Sequence, residues 1–425
     1  MSLPSKQVFS LLFDETSQSG GQPSASTISP ALYSISGMAG GKAASLFALG
    51  GTHGAAAQDL ILLAGHLRKA TAKGHAIVLA HDGELRLHDS PELLLAQSGL
   101  FQALSEAAAG QTLVCIVNGS LEGFMAMLPT LADASFLVHG QGQLALEAAS
   151  VVEAVCGIRQ DAERLGGALA HARTSGLASR ACPHLLDAVL QTRRHVLAMR
   201  NTVPTQVSFT KAQLQLDQLL PPDDSDDTYD IRVLLDAIAD PGSFLEVQPE
   251  LKTALITGFA RLDGQACAVI ASTPAHMAAC LDLAALQKAG RFLALCNRRK
   301  LPVISLIDTL GFIPGESQEH GGIALAAAAL LQQWQTHSAA VIALVLRHAY
   351  GAAPLALGLS AGLSRGTGLA WDKAVISAGG RNGSAIDAGL SRIQPSQSAI
   401  ALSSLLRQET LGEAEALSRE TLNVH

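Results

Sequence analysis

Several glycines fall where main-chain chemistry needs them. Gly311, Phe312, Pro314 and Gly315 share one loop, Gly321 and Gly322 lie just beyond it, and Tyr350, Gly351 and Ala352 form a second turn. A glycine-rich turn from strand into helix leaves backbone N–H groups without intrahelical acceptors, at the positive end of the helix dipole. Such groups bind anions, and donors held that way suit a developing oxyanion such as a thioester enolate or a ureido oxygen. The competing reading is that these glycines only make turns. Arg347 and His348 precede the second turn at a strand end, where a satisfied structural role is expected.

The elements that would position these loops come in pairs. Residues 303–307 are a short branched apolar run ending at Asp308, and an apolar helical stretch covers 322–331. The design repeats: 340–346 reads as a strand, 347–353 as a loop and 354–359 as the start of a helix, whose first turn tolerates Pro354. Two successive strand-helix units predict neighbouring parallel strands with helices outside. The N-terminal half echoes this, since TLVCIVNGSLEGFMAMLPTLAD (112–133) aligns with AVIALVLRHAYGAAPLALGLSAG (340–362). An internal duplication of roughly 190 residues follows.

At these residues the chain resembles a known family. YDIRVLLDAIADPGSFLEVQPE (229–250), GFARLDGQ (258–265), ACLDLAALQKAGRFLALCN (279–297), LIDTLGFIPGESQEHGGI (306–323), RHAYGAAPLALG (347–358) and LAW (369–371) look like the C-terminal half of the carboxyltransferase β subunit of biotin-dependent acyl-CoA carboxylases, of the propionyl/acetyl type. The resemblance implies an α/β protein of two tandem crotonase-like lobes, each a twisted β-sheet flanked by helices. It implies a CoA thioester held mainly by the N-terminal lobe, and carboxybiotin, delivered on a biotin carrier protein, reaching the C-terminal lobe. A biotin carboxylase partner and a homo-oligomer, a dimer or a hexamer, belong to the same expectation. No side-chain base is implied: the biotin anion can take the α-proton while N–H pairs at Gly123/Phe124 and Gly351/Ala352 hold the two oxyanions.

The N-terminal half is a degraded match. Gly50 and Gly51 keep the family's early Gly-Gly turn, and Asp82, Gly83 and Arg86 keep parts of a Gly- and Arg-containing loop. Phe124 stands where the family has the second glycine of its oxyanion pair, so its ring crowds the site unless it points into the core. In the C-terminal half the family's basic pair is replaced by 324–329, all Ala and Leu-free but for Leu325, and Asp372 follows Trp371 in place of proline. Two readings therefore stand beside the carboxyltransferase: a biotin-independent malonyl-thioester decarboxylase subunit, and a catalytically silent assembly subunit.

Composition narrows the rest. The chain has 425 residues, 48% hydrophobic and 15% charged, ample for two large cores and oligomer faces. A net charge of −7 argues against a nucleic-acid partner. The six cysteines include no C-x-x-C pair, so no zinc ribbon is expected and no metal; they read as small buried hydrophobes. Neither a signal peptide nor an 18-residue uncharged apolar span is present, so cytoplasmic is the default, with no membrane partner. The expected divisions are a mobile arm (1–28), an N-terminal lobe (29–200), an acid- and proline-rich linker (201–228) and a C-terminal lobe (229–425). Two lookalikes are set aside: 358–362 fits G-x-S-x-G but follows a helical stretch, and 37–42 resembles a P-loop one residue short.

Overall fold

Continuous apolar runs set the architecture. Ala76–Asp82 and Val303–Thr309 are buried at every position, the pattern of strands covered on both faces. The computed structural model describes residues 3–14, 22–50, 54–83, 85–199, 216–221, 227–359, 366–380, 383–386 and 389–408. The chain divides into two units, 1–199 with 248–251, and 200–247 with 252–425.

The first unit carries β1 (Ser24–Ser29), β2 (Leu32–Ala39), β3 (Lys42–Gly50), β4 (Ala76–Asp82), β5 (Leu113–Asn118), β6 (Ser120–Glu122), β7 (Ala134–Val138), β8 (Gln143–Ala145) and β9 (Arg180–Cys182). Its main sheet runs β1-β2-β3-β4-β5-β7-β9, with β6 and β8 paired apart. The second unit carries β10 (Leu245–Val247), β11 (Leu255–Leu262), β12 (Gln265–Ser272), β13 (Val303–Thr309), β14 (Val341–Tyr350), β15 (Gly366–Trp371), β16 (Val375–Ser377) and β17 (Ser391–Ile393). They are ordered β10-β11-β12-β13-β14-β15-β17, with β16 on β14. In each sheet the first two pairings are antiparallel and the next four parallel. One strand order and one set of directions thus occur twice. Even the short pairs agree: β6 lies parallel to β8 as His348–Tyr350 lies parallel to β16.

Helices fill the parallel crossovers for reasons visible in their sequences. Ala57–Ala72 buries Leu60, Leu63, Ala64 and Leu67 on one face, and the Asp59 carboxylate accepts the Ala56 N–H in its first turn. Leu283–Arg299 begins where Asp282 accepts the Ala285 N–H and ends at Lys300, in the left-handed region at φ 50°. Leu93–Gly110 and Ile323–Thr336 occupy the following crossovers. Among the described residues no helix is long and apolar enough to cross a membrane.

Three local expectations change, and the P-loop lookalike, read as only a loop, takes a defined form. Residues 24–28, read as part of a mobile arm, form strand β1, and the helix before them, Leu3–Ser10, with the turn after it, places Phe9, Leu12 and Phe13 in the core. The loop expected from Arg347 is the tail of β14, which continues to Tyr350. The helix after it is only Ala353–Ala356. The P-loop lookalike is a two-residue hairpin turn: Gly40 and Gly41 both have positive φ, and their N–H groups donate to the Asp14 carboxylate. Most of the expected linker, and residues 360–362 of the G-x-S-x-G lookalike, lie outside the described residues.

Candidate active site

Both glycine turns have the same construction. Gly123 leaves β6 at φ 56° and donates its N–H to the Ala145 carbonyl of β8 at 3.0 Å. Gly351 leaves β14 at φ 66° and donates its N–H to the Ser377 carbonyl of β16 at 2.8 Å. The positive φ is why glycine stands at each position. These bonds correct one expectation: the glycine N–H groups are spent within the fold, so neither is an oxyanion donor. The next residue remains in each turn. Phe124 opens helix Phe124–Met127 and Ala352 caps helix Ala353–Ala356, and among the described residues neither N–H has a backbone acceptor. Ala352 is exposed. The Phe124 ring packs against the core with its centroid 6.3 Å from that of Phe101, so it does not block the turn.

The other predicted residues fall into three groups. Gly50 and Gly83 sit at the ends of β3 and β4, where strand ends are stitched together. A side chain at Gly50 would overlap the Asp82 carbonyl, Gly83 donates its N–H to the Asn118 carbonyl at 2.9 Å, and the Asn118 amide donates to the Asp82 carboxylate at 2.8 Å. Arg86 is exposed and its carbonyl accepts the Ala55 N–H at 2.8 Å; Gly51 lies outside the described residues. In the second unit, the Gly311 carbonyl accepts the Leu281 N–H, and Phe312 bridges to Leu281. Pro314 and Gly315 are exposed, the Gly315 carbonyl starting helix Glu316–Gly321. Gly321 and Gly322 separate that helix from Ile323–Thr336, Gly322 at φ 87°. Tyr350 is a buried strand residue whose ring lies 5.3 Å from that of His348, so it is not open to a ligand in the way the sequence implies.

Two polar clusters were not legible beforehand. Asp308, buried near the end of β13, accepts from the Tyr229 hydroxyl at 2.8 Å and from the His348 N–H at 3.0 Å, with His348 Nδ1 at 3.2 Å. Arg347 donates to the Asp227 carbonyl at 3.2 Å and stacks on the Tyr229 ring. Burial, and then the Asp308 charge, push the Tyr229 phenol well above its ordinary range. Arg347 and His348 therefore have the satisfied structural role expected of them. The second cluster is His81, 4% exposed at the end of β4, with Nδ1 3.0 Å from the Leu49 carbonyl. Burial holds its pKa below the usual value, against the pull of nearby carbonyls.

Among the described residues no group of three or more His, Cys, Asp or Glu is placed to hold a metal. Four cysteines are buried and Cys280 is half-buried, but Cys156 is exposed, unlike the buried role expected for all six.

A carboxyl transferase domain model matches residues 34–384. The chain belongs to that family. Among its relatives, the propionyl-CoA carboxylase beta chain of Roseobacter denitrificans is 31% identical over 322 residues, 74% of this chain and 63% of the relative. The methylmalonyl-CoA decarboxylase subunit alpha of Veillonella parvula is 32% identical over 326 residues, 75% of this chain and 64% of the relative. The chain thus spans less than two thirds of these relatives. In fold it superposes on a transcarboxylase 12S structure with a TM-score of 0.86 at 22% identity, covering 96% of this chain and 89% of that one. The α/β architecture is that of tandem crotonase-like lobes, as the sequence implied.

Proposed function

We propose that this carboxyl transferase family member is the carboxyltransferase component of a biotin-dependent acyl-CoA carboxylase. The observation that carries the reading is the pair of matching turns, each with its glycine N–H committed and the next N–H, at Phe124 or Ala352, without a backbone acceptor among the described residues. When the α-proton leaves an acyl-CoA thioester, the electron pair moves onto the thioester oxygen, and a main-chain N–H fixed by the fold stabilises that charge without reorganising. We assign this to Phe124 in the N-terminal lobe. The exposed Ala352 N–H fits a ureido oxygen, so carboxybiotin on its carrier protein, which would supply the carboxyl group and leave as biotin, would be held at the C-terminal turn. Because the donors are backbone groups, replacing the family's second glycine by Phe124 leaves the donor intact. Biotin carboxylase and biotin carrier protein as partners, a dimer or hexamer of this chain, the divisions at 28, 200 and 228, and a cytoplasmic location belong to the same proposal.

A second reading is a biotin-independent decarboxylase of malonyl-type thioesters. It is favoured by the decarboxylase subunits among the relatives, from Veillonella parvula and Propionigenium modestum. The same donors stabilise the enolate whether carboxylate arrives or leaves. A catalytically silent assembly subunit is the remaining outcome. Calorimetric titration with acetyl-, propionyl- and malonyl-CoA, followed by a mass-spectrometric assay of carbon dioxide loss, separates the three. The proposal expects binding with no turnover until carboxybiotin is supplied. Release from malonyl-CoA alone supports the decarboxylase, and no binding of any ester the silent subunit.

A further inference from the structure

Strand β8 is three residues long and forms a two-stranded sheet with β6, apart from the main sheet. A pair of strands this short does not hold a fixed geometry by itself. Yet the Ala145 carbonyl on β8 takes the Gly123 N–H, and so sets the turn in which the Phe124 N–H is assigned to the thioester oxygen. Whatever holds β8 therefore holds that donor.

Successive carbonyls of an extended strand point to opposite sides. With Ala145 turned toward the Gly123 turn, the carbonyl of buried Leu144 faces the other way, where His171 Nε2 meets it at 2.7 Å. A carbonyl oxygen only accepts, so Nε2 carries the ring proton and Nδ1 is a lone pair. The Ser175 hydroxyl lies 2.8 Å from Nδ1 and gives it a hydrogen, while its own oxygen accepts the Leu177 N–H at 3.3 Å. One tautomer satisfies every partner. The spacing comes from a π-helical turn, His171–Ser175, in which the Gly176 N–H reaches back to the His171 carbonyl at 2.8 Å; such turns occur frequently at functional sites. Gly166 flanks the same Leu144 carbonyl, and a side chain there would overlap it. The C-terminal lobe shows what the contact does. There Gly351 donates to the Ser377 carbonyl of β16, and the preceding carbonyl, of Ile376, accepts the Ile386 N–H at 2.9 Å. A main-chain donor fixes that short strand, and the His171 side chain fixes its counterpart.

We infer that His171 is a positioning residue for the oxyanion donor of the N-terminal lobe: its Nε2–H holds the Leu144 carbonyl, and through the next peptide the Ala145 carbonyl, the Gly123 turn and the Phe124 N–H. Ser175 keeps the ring in the tautomer that can do this. The inference rests on the carboxyltransferase reading for the place of the thioester.

The test compares full-length wild type with His171→Leu, which removes the donor, and His171→Gln, which keeps a side-chain N–H near the Nε2 position. Two readouts are taken on folded protein. One is carboxyl transfer from malonyl-CoA to biotin. The other is the infrared carbonyl band of bound propionyl-CoA, carbon-13 labelled at the thioester carbonyl, which needs no biotin and reports the donor directly. In wild type the band lies below its position in the free ester. In His171→Leu it moves back toward that position and turnover falls about 10- to 100-fold, while ester affinity stays within about threefold of wild type. His171→Gln restores band and turnover. A His171→Leu protein with wild-type band and turnover, a loss confined to affinity, or a His171→Gln protein no better than His171→Leu overturns the inference. A wild-type band at the free position overturns the inference and the placement of the thioester with it. A band that depends on His171 in a protein that transfers nothing to biotin upholds the inference and sinks the carboxyltransferase reading alone. If His171→Leu does not fold, Ser175→Ala decides, at an exposed position. Without the hydroxyl the ring can turn a lone pair on the Leu144 carbonyl, so turnover falls at least about threefold and the band moves part of the way back; wild-type values overturn the inference.

Discussion

Replacing Ala352 by proline removes one N–H and little else. Ala352 sits at φ −89°, within reach of the proline value near −65°. It is exposed, so the ring meets solvent, and among the described residues its N–H has no backbone acceptor, so no fold bond is lost there. The restriction that proline places on its predecessor falls on Gly351, the residue best able to absorb it. The folding cost is therefore about 1 kcal/mol, whereas loss of one oxyanion donor costs roughly 100- to 1000-fold in turnover, about 2.7–4 kcal/mol. The assay is biotin-dependent carboxyl transfer, with thermal unfolding and CoA-ester titration on the same preparations. The expected result is a turnover loss in that range, an ester affinity within about threefold of wild type, and near-normal rates for Ala352→Ser, which keeps the N–H. A folded Ala352→Pro protein within about threefold of wild-type turnover refutes the assignment of this N–H.

Three further outcomes follow from the geometry. Gly351→Ala places a Cβ at φ 66°, where an L-residue costs about 1–2 kcal/mol, and should lower the thermal midpoint by several degrees. Asp308→Ala strands the Tyr229 hydroxyl and the His348 N–H in a buried site, so urea unfolding should show a loss of about 2–6 kcal/mol, at about 1–3 kcal/mol per unpaired group; Tyr229→Phe should lose less. The pKa of His337 is lowered by burial, against the Leu301 carbonyl that Nε2 contacts at 3.1 Å. Its unfolded value is near 6.5, so the unfolded chain takes up the proton first as pH falls. Its share of stability is complete above about pH 6.5 and declines below it, and midpoints measured from pH 7.5 to 5.5 should fall less steeply in His337→Gln.

The sequence made the periodic elements legible. Leu60, Leu63 and Leu67 recur at helical spacing, and the runs 76–80 and 303–307, apolar but for Ser305, have the pattern of doubly covered strands. The duplicated half was legible for the same reason. What was hidden depended on partners distant in sequence. The Gly123 N–H is spent on Ala145, and the Gly351 N–H on Ser377, through short strands of three residues each. Such strands are too brief to show a period. His81 is notable only because the β3–β4 register sets it opposite Leu49. The one available signal for both polar clusters was an acid or histidine closing an apolar run, as at His81-Asp82 and Asp308.

The most direct test of the account is carboxyl exchange between a thioester and biotin. Wild-type protein is incubated with malonyl-CoA, with and without free biotin, and acetyl-CoA and carboxybiotin are followed by mass spectrometry. The account predicts both products in equal amounts when biotin is present and neither when it is absent. Acetyl-CoA and carbon dioxide formed without biotin, or no product under either condition, would contradict it.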